Sequence, residues 1–419
     1  MAKVLMKGNE AIGEAAIRAG CIHFFGYPIT PQSEVPEYLA RRLPEVGGQY
    51  VQAESEVAAS NMIYGAAGVG MRVLTTSSSP GISLMAEGIS YIAASELPVV
   101  LVNIMRAGPG LGGILPAQGD YFQATRGTGH GDFQLLVLAP ASVQEAVNLV
   151  ILAFELAEKY LNPVMVIGDG MIGQMMEPVE FPVEGVGPPL DPGDWALTGC
   201  EGRERRIVNS LFLDPEACNR HNLKLKAKYE RMAENEQRWE LYNCDEPYDL
   251  LVTAFGMMSR ICKTAIDDLK AEGTNVGLFR PISLNPFPYE PCRRVIDRAQ
   301  RILDVEMSMG QMIYDIQLAA QGRLEIDFHG TAGGVVPSPD EVADKIRESL
   351  ARIGRSPARK PGKRSAKAAA AQKSKSKRSK KTATAQKPGK RGGKKPQNAG
   401  KRSAARQSSA RRHGRRSGR

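Results

Sequence analysis

No two of the six cysteines, at positions 21, 200, 218, 244, 262 and 292, stand in a Cys-x-x-Cys pair. Local spacing therefore offers neither a zinc site nor an iron–sulfur cluster. No stretch approaches eighteen consecutive apolar residues, so no membrane-spanning helix is expected. Lys3, Lys7, Glu10 and Glu14 break up the N-terminal stretch, which thus lacks the apolar region of a signal peptide. Scattered thiols without such a leader predict a reducing, cytoplasmic setting. Gly-x-x-x-x-Gly-Lys-Ser/Thr is missing, which excludes a P-loop. Gly65-x-x-Gly68-x-Gly70 precedes a strand pattern instead of following one, and Gly108-x-Gly110-x-Gly112-Gly113 leads into Pro116 and a polar loop. Neither has the strand–glycine turn–helix context of a dinucleotide site.

Acidic residues are missing from 355–419, which holds 25 Lys and Arg and no aromatic residue. All 45 acidic residues and the other 30 basic ones lie in 1–354, so the net charge of +10 hides an acidic body with a strongly basic tail. The tail cannot bury a core and is predicted to be disordered. Such tails bind polyanions through phosphate contacts, and the lack of aromatics argues against stacking on single strands. The alternatives are a solvated tail or an intramolecular partner for the acidic body.

What remains is globular. Hydrophobic residues make up 42% of the 419, enough for two to three domains. Residues 1–180 alternate apolar runs with helical patterns: strands at 22–25, 72–76, 98–104 and 163–167, helices at 9–20, from Pro31, from Ser55, 82–95 and 141–160, and a mobile loop at 108–113. Repeated βα units of this kind give a mostly parallel sheet covered on both faces. Residues 181–245 read as a linker and helical arm, charged from Asn222 to Tyr242. Residues 246–354 return to α/β as a second, smaller doubly wound domain, with strands at 248–254, 275–279 and 301–306, an extended loop at 280–288 and a final helix from Pro339 to Ile353.

Gly26-Tyr-Pro-Ile-Thr-Pro31 reads as a strand-to-helix turn, with Thr30 as the cap and Pro31 at the first helical position. It is either an ordinary connection or an anion site at the carboxyl end of a strand. Ser55 caps a helix rich in small residues, Ala58, Ala59, Ser60, Gly65, Ala66, Ala67 and Gly68, which allow close packing. Glu56 then lies in the first turn, where a carboxylate is favoured by the helix dipole whatever else it does. Glu54, two residues away, faces elsewhere. Arg106 follows the strongest strand; it is a surface residue there or an anchor for a planar carboxylate. Asn103 and His130 are weaker candidates, His130 reading as structural or solvated. Gly168-Asp-Gly170 reads as a strand-end turn.

Lys7-Gly-Asn-Glu-Ala11, Gly26-Tyr-Pro-Ile-Thr-Pro31, Glu54-Ser-Glu-Val-Ala58, Ala66-Ala-Gly-Val-Gly70 and Arg106-Ala-Gly-Pro-Gly110 occur in this order. Together they resemble the α subunit of 2-oxoacid:ferredoxin oxidoreductases, which carries the pyrimidine-binding domain for thiamine diphosphate. Val305-Glu-Met-Ser-Met-Gly-Gln311 is similar to part of that subunit's transketolase C-terminal-like domain. Asp214-Pro-Glu and His221-Asn-Leu-Lys-Leu-Lys226 look most like the branched-chain, 2-oxoisovalerate (3-methyl-2-oxobutanoate) type; 2-oxoglutarate- or pyruvate-specific members are the alternatives. The basic tail is not part of the pattern.

The resemblance implies roles. Glu56 matches the glutamate that hydrogen-bonds N1′ of the aminopyrimidine and favours the tautomer that takes the C2 proton. Pro28 and Ile29 fall in the cofactor-binding turn. Thr30 and Arg106 match residues that contact the 2-oxoacid carboxylate. The diphosphate and its Mg²⁺ are held in this family by a Gly-Asp-Gly…Asn motif on a partner β chain; Gly168-Asp-Gly170 lacks the asparagine. No metal ligand is therefore expected on this chain, and the [4Fe–4S] clusters are expected on partner subunits or γ/δ-type chains. Coenzyme A is the implied acyl acceptor and ferredoxin the electron acceptor. A reading from another class is a nucleic-acid-associated protein acting through its tail.

Overall fold

The computed structural model describes residues 3–353, apart from 183, 184, 186, 189 and 190. The predicted disordered tail lies outside the described residues. The first half of the chain forms β1 (Val4–Lys7), α1 (Gly8–Arg18), β2 (His23–Gly26), α2 (Glu34–Glu45), β3 (Gln49–Gln52), α3 (Glu56–Gly68), β4 (Val73–Ser77), α4 (Pro80–Ala94), β5 (Val100–Met105), α5 (Tyr121–Arg126), β6 (Leu136–Leu138), α6 (Val143–Tyr160), β7 (Val164–Asp169), α7 (Gly170–Gln174) and β8 (Met176–Val179). Then come α8 (Pro215–Asn235), β9 (Trp239–Tyr242), β10 (Leu250–Thr253), α9 (Gly256–Ala271), β11 (Val276–Pro281), β12 (Ser283–Asn285), α10 (Tyr289–Ile296), β13 (Arg301–Glu306), α11 (Ile313–Ala320), β14 (Ile326–Gly330) and α12 (Pro339–Leu350).

Seven strands form one sheet in the order β12-β6-β7-β5-β4-β2-β3, parallel except for β12. Strand β5 shows why both faces are covered. Val100, Val102 and Ile104 enter the layer shared with α1 and α6, whereas Leu101 and Met105 enter the layer shared with α3 and α4. Burying each such side chain contributes about 1.5–3 kcal/mol. The small residues of α3 do permit close approach: a Cβ at Gly88 of α4 would meet Ser60 Oγ at 2.3 Å. The second sheet runs β14-β13-β10-β11-β9, parallel except for the edge strand β9. Residues of α9 and α12 pack in one layer and those of α10 and α11 in the other. Both are the doubly wound α/β arrangement expected.

Four local expectations need correction. The helix after β2 begins at Glu34, with Ser33 at its cap position, and not at Pro31. A hydrogen bond from Gln32 N to Ile29 O, 3.1 Å, closes a turn around Thr30 and Pro31 first. The loop at 280–288 contains β12, which pairs antiparallel with β6 and edges the first sheet. The arm segment contributes β9, which pairs with β11 in the second sheet. Gly168 and Asp169 end β7 itself, and Asp169 caps the short α7 through Met171 N (3.0 Å) and Ile172 N (3.2 Å).

The two sheets are joined by buried polar groups. Arg280 on β11 donates to both oxygens of Glu145 in the first turn of α6 (2.8 and 2.7 Å) and to Glu240 on β9 (2.7 Å). Burial pushes the Asp169 carboxyl up to about 6, against the pull of the amides of Ile172, Met171 and Met257. Fully buried Gln118 donates to Phe255 O (2.8 Å) and accepts from Met307 N (3.1 Å), so the segment after β5 is pinned to the ends of β10 and β13.

Candidate active site

From β2 the chain passes to β3 on one side, then returns to β4 on the other. Strand order therefore switches between β2 and β4, and ligands bind outside the carboxyl ends of such strands. The residues matched to cofactor and substrate roles stand at those ends, whereas Asn103 lies within β5 and His130 follows α5. Gly26–Pro31 follows β2, Glu56 follows β3, Ser77–Ser79 end β4 and lead into α4, and Arg106 follows β5.

The turn at 26–31 is held from below. Asn9 Nδ2 donates to Pro31 O (2.8 Å) and to Glu34 Oε2 (2.7 Å). Fully buried Gln32 accepts from Thr76 Oγ1 (2.5 Å) and donates to Tyr27 O (3.4 Å). Pro28 and Thr30 are exposed, and Ile29 is half-buried. The Thr30 carbonyl, not its hydroxyl, makes the link to Arg106, whose Nη1 donates to it at 2.9 Å. Arg106 Nη2 donates to Leu111 O (3.3 Å), which ties down the glycine loop. Arg106 is buried, yet its Nε–H has no partner. Thr30 and Arg106 are thus brought together, with donors left over.

Ser55 Oγ accepts Ala58 N–H (3.2 Å) as the sequence predicts, and Glu56 takes the first position of α3. Glu56 is 5% exposed, and among the described residues no hydrogen bond reaches its carboxylate, whose oxygens are not among the fully buried atoms left without a partner. The carboxylate lies against the start of α4: a Cβ at Gly81 would come within 2.7 Å of Glu56 Oε1 and 2.0 Å of Ser77 Oγ. The hydroxyls of Ser77 and Ser78 are buried without partners beside it. Ser77 Oγ, Ser78 Oγ and Arg106 Nε are thus buried polar atoms without partners at the carboxyl ends of β4 and β5. Glu54 is exposed and stays outside. His130 is exposed, its ring set edge-on against Tyr91, and contributes nothing to this group.

Two residues escaped the sequence. Ser79 has φ +35°, ψ −86°, a conformation that costs a non-glycine residue about 1–3 kcal/mol. It is over-determined: its N–H donates to Asn103 Oδ1 (3.0 Å), its Oγ accepts Arg106 N–H (3.0 Å), and its carbonyl accepts Gln123 Nε2–H (3.3 Å). Asp120 is the second. Burial raises its carboxyl above the usual range, while hydrogen bonds from Ser79 and Asn103 and the charge of Arg106 pull it back. Neither carries a local sequence signal, since neither a glycine nor a motif marks them.

Among the described residues no cluster of His, Cys, Asp and Glu side chains forms a metal site, and no helix is long and apolar enough to cross a membrane.

Residues 14–194 match the thiamine diphosphate-binding domain model of pyruvate flavodoxin/ferredoxin oxidoreductases, and residues 249–342 match core domain II of pyruvate:ferredoxin oxidoreductase. A ketoisovalerate oxidoreductase subunit, VorB, of Methanothermobacter thermautotrophicus is 48% identical over 83% of this chain and 98% of its own length. The 2-oxoglutarate synthase subunit KorA of the same organism is 34% identical over 81% of this chain and 97% of its own. Among solved structures, a 2-oxoglutarate:ferredoxin oxidoreductase from Magnetococcus marinus, with 2-oxoglutarate, coenzyme A and succinyl-CoA bound, aligns with a TM-score of 0.72 at 26% identity. The alignment covers 83% of this chain and 65% of that one. A split-gene transketolase shares the fold alone, at 13% identity and a TM-score of 0.50. A carboxylate at the switch point of the first sheet, on a fold whose two halves match these models in order, leads to one assignment: the chain belongs to the 2-oxoacid:ferredoxin oxidoreductase family and carries its thiamine diphosphate-binding domain.

Proposed function

We propose that the chain is the α subunit of a CoA-acylating oxidoreductase acting on 2-oxoisovalerate and related branched-chain 2-oxoacids. In the net reaction the acid loses carbon dioxide, and its carbonyl carbon is oxidised by two electrons to the thioester of coenzyme A. Electrons leave one at a time through iron–sulfur clusters of partner chains to ferredoxin. The observation that carries this reading is the buried, unpartnered Glu56 at the carboxyl ends of the sheet.

Thiamine diphosphate, when bound, supplies the nucleophilic carbon and the electron sink for decarboxylation. Glu56 would hold and exchange a proton at N1′ of its pyrimidine, and Pro28, Ile29 and the hydroxyls of Ser77 and Ser78 would help to hold the cofactor. Arg106 fixes the substrate carboxylate with its unused N–H groups, and Thr30 lies beside it. The diphosphate, with Mg²⁺, falls to a partner β subunit, so this chain holds half an active site. Exposed Leu111, Ile114 and Leu115 on the loop bound to Arg106 support both a partner surface and an apolar substrate side chain. The names of the VorB relatives point the same way.

The test is CoA-dependent viologen reduction by the complex with a β subunit, across a panel of 2-oxoacids. kcat/KM is expected to be highest for branched acids; a preference for 2-oxoglutarate or pyruvate would overturn the subtype, and inertness to all would overturn the function.

The tail supports a second, compatible role. With 25 positive charges and no negative one, 355–419 suits non-specific contact with nucleic acid. Ending the chain at residue 354 is expected to leave 2-oxoacid turnover unchanged and to abolish salt-sensitive retention on duplex DNA. Retention that survives the truncation would contradict this role.

A further inference from the structure

We propose that Asp120 is a positioning residue that, through Ser79, sets the geometry of both Glu56 and Arg106; this rests on the roles given to those two residues above. Asp120 Oδ2 accepts Ser79 Oγ–H at 2.6 Å and Asn103 Nδ2–H at 2.9 Å. Asn103 Oδ1 accepts Ser79 N–H at 3.0 Å, so Ser79, Asn103 and Asp120 close a ring of hydrogen bonds. The ring fixes where the Ser79 proton points. With that proton given to Asp120, the hydroxyl keeps its lone pairs for Arg106 N–H at 3.0 Å. Without the carboxylate, the remaining acceptor for the Ser79 hydroxyl is Arg106 O, 3.4 Å away.

Ser79 is the hinge between the two chemical groups. On one side it holds the Arg106 backbone. On the other, its left-handed backbone turns the chain into α4, where Gly81 has no room for a Cβ between Ser77 and Glu56. A shift of Ser79 therefore moves both ends of the site.

Asp120 is in turn fixed by the second domain. The Gln311 side chain donates to Gly119 O (2.6 Å) and accepts Phe122 N–H (2.7 Å), straddling Asp120. The Gln311 backbone N–H donates to Glu306 Oε2 (3.0 Å), which also accepts Ser308 Oγ–H (2.7 Å). The Val305–Gln311 motif thus supports the substrate end of the site through Asp120.

In the assembled enzyme, Asp120→Ala is expected to lower kcat/KM for the 2-oxoacid about 10²-fold, as a displacement of ~1 Å does, with the loss divided between kcat and KM. Asp120→Asn, whose amide oxygen accepts the same two bonds, is expected to recover activity to within roughly threefold. Ser79→Gly removes the backbone strain and the relay together, so its thermal midpoint is expected to hold or rise while kcat/KM falls about tenfold. Full activity in Asp120→Ala or Ser79→Gly would overturn the proposal, as would an Asp120→Asn variant no better than Asp120→Ala. If Asp120→Ala does not fold, the other two variants decide. Glu56→Ala and Arg106→Ala run alongside: near-normal activity in these removes the site reading and the proposal with it. If they are inactive while Asp120→Ala is normal, this inference alone fails.

Discussion

Replacing Glu56 by Gln or Ala is expected to lower kcat by about 10²–10⁴-fold, the range that a positioned proton-transfer group contributes. A glutamine can hydrogen-bond a ring nitrogen but cannot trade a proton with it. Stability is expected to move the other way or not at all. Glu56 is largely buried and no hydrogen bond reaches its carboxylate among the described residues, so Gln removes a charge without breaking a bond. A thermal midpoint unchanged or raised, together with lost turnover, is the signature of a group kept for chemistry at some cost to the fold. The measurement is steady-state viologen reduction at saturating thiamine diphosphate, with thermal unfolding of the same complexes. Turnover within about tenfold of the parent would remove Glu56 from the mechanism.

The second large effect is at Arg106. Two charge-assisted hydrogen bonds to a carboxylate are worth about 1.5–3 kcal/mol each, so Arg106→Ala is expected to lower kcat/KM for the 2-oxoacid by about 10²–10⁴-fold. Arg106→Lys should rescue little. A single ammonium cannot donate to Thr30 O and Leu111 O and still offer paired donors to a planar carboxylate. The dissociation constant of thiamine diphosphate is expected to stay within about twofold, because Arg106 faces the substrate end. A loss confined to cofactor affinity, or an unchanged kcat/KM, would contradict the role.

Much of the frame was legible. Buried parallel strands are continuous apolar runs, so β5, β7 and β13 stand out, and Ser55 marks its helix by a capping hydroxyl. Edge strands were not legible. Strand β12 lies among Pro281, Pro286 and Pro288, which read as a loop, yet an edge position tolerates such neighbours. Strand β9 is four residues long after a charged helix, too short for a period to show. Thr30-Pro31 has the residues of a helix start, but a turn comes first.

The site divides in the same way. Glu56, Thr30 and Arg106 stand at element ends that the pattern of strands and helices predicts. Asp120, Ser79 and Gln118 act through partners 17–189 residues away in the chain, which no local window records. Ser79 is harder still, because its left-handed backbone is imposed by neighbours and not by a glycine.

The central claim is that this chain supplies the pyrimidine and carboxylate half of an active site that a partner completes. Its most direct test is 2-oxoisovalerate- and CoA-dependent viologen reduction by this chain alone, by the thiamine diphosphate-binding β subunit alone, and by the two mixed. Turnover only in the mixture, lost again when the chain carries Glu56→Gln, is the result the structure predicts. Turnover by either chain alone, or a mixture indifferent to Glu56, would contradict it.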